Sequence, residues 1–245
     1  MAEVLSRTSP ALTVVIPAYN ERANVEPCYR ELVGVLEAHG QSFEVVFVDD
    51  GSSDGTGDVL RQLAGADPRI RVLRLRQNAG QTAALHAGFQ AAQGAVVVTM
   101  DADLQNDPHD IPKLLAALPG HDAVCGWRVD RHDPWTKRIA SRIANRVRDR
   151  FTRDGVHDTG CTLKAFRRQA IQGLHLYRGM HRFLPALLQM EGMRVTEVSV
   201  SHRPRQAGVS KYGNWGRLWA GLADLFAVRW MARRRLEYEV EEEGR

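Results

Sequence analysis

Along the first 127 residues, short runs rich in valine and isoleucine alternate with segments of helical spacing, joined by very short links. Residues 12–16, 43–48, 70–75, 95–100 and 123–127 read as strands. The stretches between them, at 21–39, 54–64, 80–92 and 108–118, read as helices. In 21–39, for example, Val25, Leu32, Val33 and Leu36 fall on one face. Such alternation predicts a mostly parallel, doubly wound sheet. The strands are apolar without interruption, as burial on both faces requires. One of Ser52, Ser53 or Asp54 is expected to cap the helix that follows the second strand.

The remainder is less regular. A basic helix is expected at 135–152, a short strand at 162–166, a helix at 181–190, a strand at 194–200 and a helix at 214–236. No run reaches the roughly 18 uncharged apolar residues of a membrane-spanning helix. The opening residues lack the apolar core of a secretory signal, so export by that route is not expected. The three cysteines (Cys28, Cys125 and Cys161) show no metal-ligand spacing, in keeping with a reducing cytosol.

A formal charge of +4 conceals a strong polarity along the chain. Residues 1–126 carry 9 Lys/Arg against 16 Asp/Glu, residues 127–236 carry 23 against 8, and residues 237–245 carry 1 against 5. An acidic first half suits a cation and a basic second half suits an anion.

The acidic residues gather where parallel strands end, which is where ligands bind in open α/β sheets. Asp49-Asp50-Gly51-Ser52 follows the second strand, and Asp101-Ala102-Asp103-Leu104-Gln105 follows the fourth. Two carboxylates one residue apart can face a single hard cation, Mg²⁺ or Mn²⁺, shared with substrate phosphates. Gln105 offers a neutral oxygen on the same side.

These residues carry a family resemblance. Val15-Ile16-Pro17-Ala18-Tyr19-Asn20-Glu21, Val48-Asp49-Asp50-Gly51-Ser52 and Met100-Asp101-Ala102-Asp103-Leu104-Gln105 resemble, in order and spacing, the nucleotide-sugar motifs of glycosyltransferase family 2. Within it the chain is most similar to the polyprenyl-phosphate glycosyltransferases, over roughly residues 12–230. The resemblance implies a GT-A fold. It places Pro17, Tyr19, Glu21, Val48 and Asp50 at the nucleoside, and Asp101, Ala102, Asp103 and Gln105 at the metal and diphosphate. Arg128, in Gly126-Trp127-Arg128, falls at the donor, and Lys137, Arg138 and Ser141 fall at the acceptor phosphate. Arg205-Gln206-Ala207-Gly208-Val209-Ser210-Lys211 resembles the family's loop that closes over the diphosphate through Arg205 and Lys211. The segment that begins Asp158-Thr159-Gly160-Cys161 resembles the bacterial branch, and the role of Asp158, whether orienting an arginine or the acceptor, stays open. The implied organisation is one domain over 1–236, with a nucleotide-sugar half at 12–127, an acceptor half at 128–213, an amphipathic helix at 214–236 and an acidic tail at 237–245.

The charge pattern agrees with that chemistry. A hydroxyl acceptor needs a general base, whereas a phosphomonoester, with a second pKa of about 6, is already ionised. It needs cations to hold it. The expected reaction is therefore direct displacement at the anomeric carbon with inversion, Asp103, Arg205 and Lys211 serving the departing nucleoside diphosphate.

In the segment 214–236, Trp215, Leu218, Trp219, Leu222, Leu225, Phe226 and Trp230 form an apolar stripe flanked by Arg217, Arg229, Arg233, Arg234 and Arg235. That is the pattern of a helix lying on an anionic membrane surface, with a core helix packed on the sheet or an oligomer contact as the alternative. Many relatives continue into membrane-spanning helices where this chain ends in glutamates. The expectation is peripheral attachment at the cytoplasmic face, directly or through a separate membrane protein. Two other readings compete. A soluble or glycan hydroxyl acceptor is one, although Phe226 stands where processive synthases of the family have glutamine in their QxxRW motif. The other is a nucleic-acid module built on the basic half, which would leave the acidic clusters without a purpose and is not expected.

Overall fold

The apolar runs do form strands. In the computed structural model, residues 9–129, 155–204, 214–235 and 241 are described. The strands are β1 (Leu12–Ala18), β2 (Phe43–Asp49), β3 (Ile70–Arg74), β4 (Val96–Thr99), β5 (Ala123–Arg128), β6 (Lys164–Arg167) and β7 (Val195–Val200). They make one sheet in the order β3-β2-β1-β4-β6-β5-β7. Six of the seven run parallel. β6, expected at 162–166, lies antiparallel between β4 and β5, with Ala165 opposite both Val98 and Val124.

The helices are α1 (Val25–His39), α2 (Thr56–Ala66), α3 (Gln81–Ala91), α4 (Ile111–Ala117), α5 (Arg168–Gln172), α6 (Leu184–Met190) and α7 (Asn214–Arg233). Single turns of 3₁₀ helix at Pro108–Asp110 and Met180–Phe183 lead into α4 and α6. The segment 181–190 therefore begins as a tight turn at Gly179 and becomes an α-helix only at Leu184. The expected basic helix at 135–152 lies outside the described residues.

Alternate residues of each strand serve opposite faces, which is why both layers are apolar. Val14, Ile16, Val45 and Phe47 pack with Leu32, Leu36, Leu60 and Leu114 in one layer. Val15, Val46 and Val48 pack with Leu85, Phe89, Leu184 and Leu187 in the other. Leu225 and Val228 of α7 join this second layer, so part of the expected stripe is core. Phe226 and Trp230 of the same helix stand outward, 59% and 62% exposed. Among the described residues, no helix is long and apolar enough to cross a membrane.

The close approach of α3 to β1 depends on one missing side chain. A Cβ at Gly88 would stand 2.2 Å from Val15 Cγ1. Gly88→Ala should therefore destabilise the fold by about 1–3 kcal/mol through overpacking. Gly34→Ala meets nothing within 4 Å in α1 and should stabilise it by roughly 0.5–1 kcal/mol. Urea denaturation of the two variants should give shifts of opposite sign.

Candidate active site

The sheet order reverses between β1 and β4, and their carboxyl ends open side by side. Such a switch point is where open α/β sheets bind ligands. A cavity of about 390 Å³ lies there. Its lining includes Pro17, Tyr19, Glu21, Asp50, Asp101, Ala102 and Asp103, which brings together residues read from three separate sequence motifs.

The loops after β1 and β2 fix one another by side-chain bonds to backbone. Asn20 N–H donates to Ser52 Oγ (2.9 Å) and Ser53 N–H to Asn20 Oδ1 (2.9 Å). Glu21 N–H donates to Thr56 Oγ1 (2.9 Å), and the Glu21 carboxylate accepts from Asn24 (2.6 Å). The cap position of α2 is Gly55, not one of Ser52, Ser53 or Asp54, because the left-handed backbone there favours glycine; Asp54, one residue earlier, accepts from the Thr56 N–H at 3.0 Å. Asp49 and Asp50 divide their work. Asp49, fully buried, accepts from Ser52 N–H (2.9 Å) and closes the turn. Asp50 lines the cavity and accepts from Ala79 N–H (2.7 Å), Gly80 N–H (2.9 Å) and Asn78 Nδ2 (2.9 Å). The backbones meet here so closely that a Cβ at Gly51, which has φ +70°, would strike Asn78 N at 2.6 Å.

After β4 the chain makes a tight turn with Leu104 in the left-handed region, φ +62°. Asp101 accepts from Gln81 Nε2 of α3 (2.8 Å), and its N–H donates to Asn106 Oδ1 (3.1 Å). Asn106 Oδ1 also accepts from Thr162 Oγ1 (2.9 Å). Asp103 accepts from Gln105 N–H (3.1 Å). Burial, and then the charge of Asp103 beside it, push the Asp101 carboxyl up to about 7. Two carboxylates held together away from water raise one another's proton affinity in this way.

At the end of β5, Arg128 is gripped by Asp158 through Nε to Oδ2 (2.7 Å) and a second nitrogen to Oδ1 (3.0 Å). Asp158, left open by the sequence, thus orients an arginine. It is itself placed by Glu197 of β7, which accepts from the N–H groups of His157 (2.8 Å) and Asp158 (3.2 Å).

Other expected site residues fall elsewhere. Val48 is wholly buried in the layer beneath α3, with its side chain in the core. Gln105 is outside the cavity lining. Lys137, Arg138, Ser141, Arg205 and Lys211 lie outside the described residues. Sequence reasoning missed Asn78 and Gln81, whose signal was the glycine-led start of α3. It also missed Lys164, a buried lysine in the cavity wall that donates to the carbonyls of Thr159 (3.2 Å) and Cys161. His181, bonded to Thr82 Oγ1 at 2.7 Å, lines the cavity too and carried no motif.

Residues 13–174 match the family model described as glycosyl transferase family 2. The chain belongs to that family. A dodecaprenyl-phosphate galacturonate synthase of Rhizobium johnstonii is 37% identical over 228 residues, covering 91% of this chain and 67% of the relative. An undecaprenyl-phosphate 4-deoxy-4-formamido-L-arabinose transferase of Edwardsiella ictaluri is 38% identical over 209 residues, covering 84% of this chain and 64% of the relative. The chain thus spans about two thirds of the length of these curated relatives. A mannosyltransferase of Pyrobaculum calidifontis, solved with GDP-Man and Mn²⁺, shares the fold at TM-score 0.66 and 22% identity, covering 95% of this chain and 67% of that one. A glucosyl-3-phosphoglycerate synthase of Mycobacterium tuberculosis, solved with Mn²⁺, UDP and phosphoglyceric acid, does so at TM-score 0.69 and 19% identity, covering 93% and 80%. The fold of this family 2 glycosyltransferase is GT-A.

The raised Asp101 carboxyl gives a pH signature. An unfolded aspartate titrates near 3.9, so between about pH 4 and 7 the folded chain holds a proton that the unfolded chain has released. The stability contributed by this group is present below about pH 4 and drains away as pH rises to about 7, by at most ~1.4 kcal/mol per pH unit. With divalent cations chelated, Asp101→Asn should gain stability relative to the unsubstituted chain over that range. Thermal unfolding at a series of pH values checks it, and a constant difference between the two chains would show an ordinary titration.

Proposed function

We propose that this family 2 glycosyltransferase moves a sugar from a UDP- or GDP-sugar to a polyprenyl phosphate, with inversion, at the cytoplasmic face of the membrane. The observation that carries the reading is the meeting of Asp101 and Asp103 with Pro17, Tyr19, Glu21 and Asp50 around one cavity. The two relatives' named reactions, both on polyprenyl phosphates, support the acceptor class.

The residues fit a divalent cation. Two carboxylates, one pushed up to about 7 by burial and by its neighbour, form an oxygen donor set suited to Mg²⁺ or Mn²⁺. In this reading Asp101 and Asp103 would hold it, Gln105 standing outside the cavity lining, and the bound cation would supply charge neutralisation to the diphosphate. Pro17, Tyr19, Glu21, Asp50 and Ala102 shape the nucleoside end, and Val48 supports it only from the core beneath. Arg128, which Asp158 holds in a fixed direction beside the cavity lining, serves the donor in this reading. Lys137, Arg138 and Ser141 hold the acceptor phosphate in line with the anomeric carbon. No side chain need remove a proton, because the acceptor oxygen is already ionised. Arg205 and Lys211 stabilise the charge that grows on the leaving diphosphate.

The outward face of α7 supports a membrane surface as the place of reaction. Phe226 and Trp230 are one turn apart, Arg233, Arg234 and Arg235 are exposed beside them, and the Arg234 guanidinium lies 5.9 Å from the Trp230 ring. Aromatic side chains seated at headgroup depth with arginines beside them bind anionic bilayers.

Incubation with a panel of labelled UDP- and GDP-sugars, undecaprenyl phosphate and Mn²⁺ should yield a butanol-extractable glycolipid. Asp103→Ala should reduce its formation by at least about 10²-fold, and Lys137→Ala with Arg138→Ala should abolish it. Product from none of the sugars, or full turnover by the double variant, would send the search to another acceptor. Separately, sedimentation with phosphatidylglycerol vesicles should capture the chain, and Phe226→Ser with Trp230→Ser should release most of it. Equal binding by both chains would remove α7 from the membrane contact.

A further inference from the structure

Among the described residues, the group of His, Asp and Glu side chains close enough to share an ion is Glu31, Asp107 and His109, which lies outside the lining of the cavity. An arginine already fills that role. Arg203 reaches Glu31 Oε1 of α1 at 2.8 Å and Asp107 Oδ2 at 2.8 Å, all three side chains being half-buried. The Arg203 N–H also donates to the carbonyl of Gln105 at 3.0 Å.

The attachment is broader than one side chain. Ser201 N–H donates to Asp110 Oδ2 (2.6 Å), and His202 pairs with Asn106 as an isolated antiparallel bridge. Asp107 in turn accepts from His109 N–H (3.0 Å), opening the 3₁₀ turn before α4. The strand end after β7 is thus stitched along residues 105–110, immediately downstream of the Asp101–Asp103 turn. Within that turn Leu104 holds a left-handed conformation. A leucine stays there only when its flanks are fixed from outside. Asn106 is tied on its side chain to Asp101 N–H and to Thr162, and Gln105 is tied by its carbonyl to Arg203.

We infer that Arg203 is a positioning residue: with Glu31 and Asp107 as its counter-ions, it braces the Asp101–Asp103 turn and so sets the direction in which Asp103 presents its carboxylate to the metal and diphosphate. The inference rests on the proposed nucleotide-sugar reaction. It adds a residue to that reaction which touches none of the reacting atoms. Without the Arg203 side chain, Asp107 loses its link to Glu31 of α1, the segment 105–110 shifts on its remaining bonds, and Asp103, whose carboxylate accepts from Gln105 N–H, turns with it.

The test uses the full chain with Arg203→Gln, Arg203→Lys, Glu31→Gln and Asp107→Asn. Mn²⁺ binding is read by electron paramagnetic resonance with UDP and with GDP, and glycolipid formation is read against Mn²⁺ concentration. Arg203→Gln should weaken Mn²⁺–nucleotide binding by about tenfold and raise the Mn²⁺ needed for half-maximal turnover by the same factor. Turnover at saturating Mn²⁺ should stay within about threefold, and Arg203→Lys should recover part of the loss. Thermal unfolding runs alongside, because a purely structural arginine lowers the melting temperature without moving metal affinity. Should Arg203→Gln fail to fold, the Glu31 and Asp107 variants each remove one arm of the brace and should show smaller shifts in the same direction. Unchanged Mn²⁺ affinity in the folded variants, with normal binding by the unsubstituted chain, overturns the brace alone. If the unsubstituted chain binds neither nucleotide with Mn²⁺, the nucleotide-sugar reading fails and the brace falls with it.

Discussion

A carboxylate withdrawn from water has to be met by donors or cations, and this requirement governs the end of the sheet where the cavity lies. Asp49, Asp50, Asp103 and Asp158 are all buried. Asp103 takes the N–H of Gln105, and the other three are compensated differently. Asp49 takes the N–H of its own turn, Asp50 takes two backbone N–H groups from the loop after β3, and Asp158 takes a forked guanidinium. Asp101 has its Gln81 bond and the like charge of Asp103, and it is the carboxyl driven up to about 7. The difference separates the acids that build the site from the pair suited to receive a cation.

The rest of the fold exists to make those compensations reproducible. Parallel pairing of β1 with β2 and β4 carries their carboxyl ends to one edge, in a register that sets Ala18 beside Asp49 and Val15 beside Thr99. Short links leave the loops no slack. The Gly88 contact seats α3 against β1, so that the first turn of α3 arrives where Gln81 meets Asp101 and Gly80 meets Asp50. Sheet, helix and site are therefore one problem in packing.

Most of this architecture was legible from the alternation of apolar runs, because buried parallel strands and their crossover helices leave two distinct periods in a sequence. Element ends were less so. The apolar run at 95–100 pairs only over Val96–Thr99, since the residues beyond it turn to build the site. The direction of β6 was invisible: Lys164–Arg167 is as apolar at its centre as a parallel strand, and only tertiary pairing decides its sense. Site residues marked by paired acids or a Gly-x-Arg stood out, whereas Gln81, Lys164 and His181 are single polar residues in ordinary surroundings. Their value comes from what folds beside them. The apolar residues of the last helix read as one stripe, yet Leu225 and Val228 turn inward while Phe226 and Trp230 turn outward. A count of apolar residues cannot divide a helix that is wetted on one side and packed on the other.

The insertion of β6 has a consequence for how far the chain can be divided. The chain changes from acidic to basic near residue 127, which invites the picture of a donor module followed by an acceptor module. The sheet denies it. β6, from the basic half, sits between β4 and β5 of the acidic half, and β7 extends the sheet from β5. A cut at the charge boundary would open the edge of β4 and leave β5 with no strand to pair with. The two halves therefore share one sheet and cannot be separated as interchangeable parts.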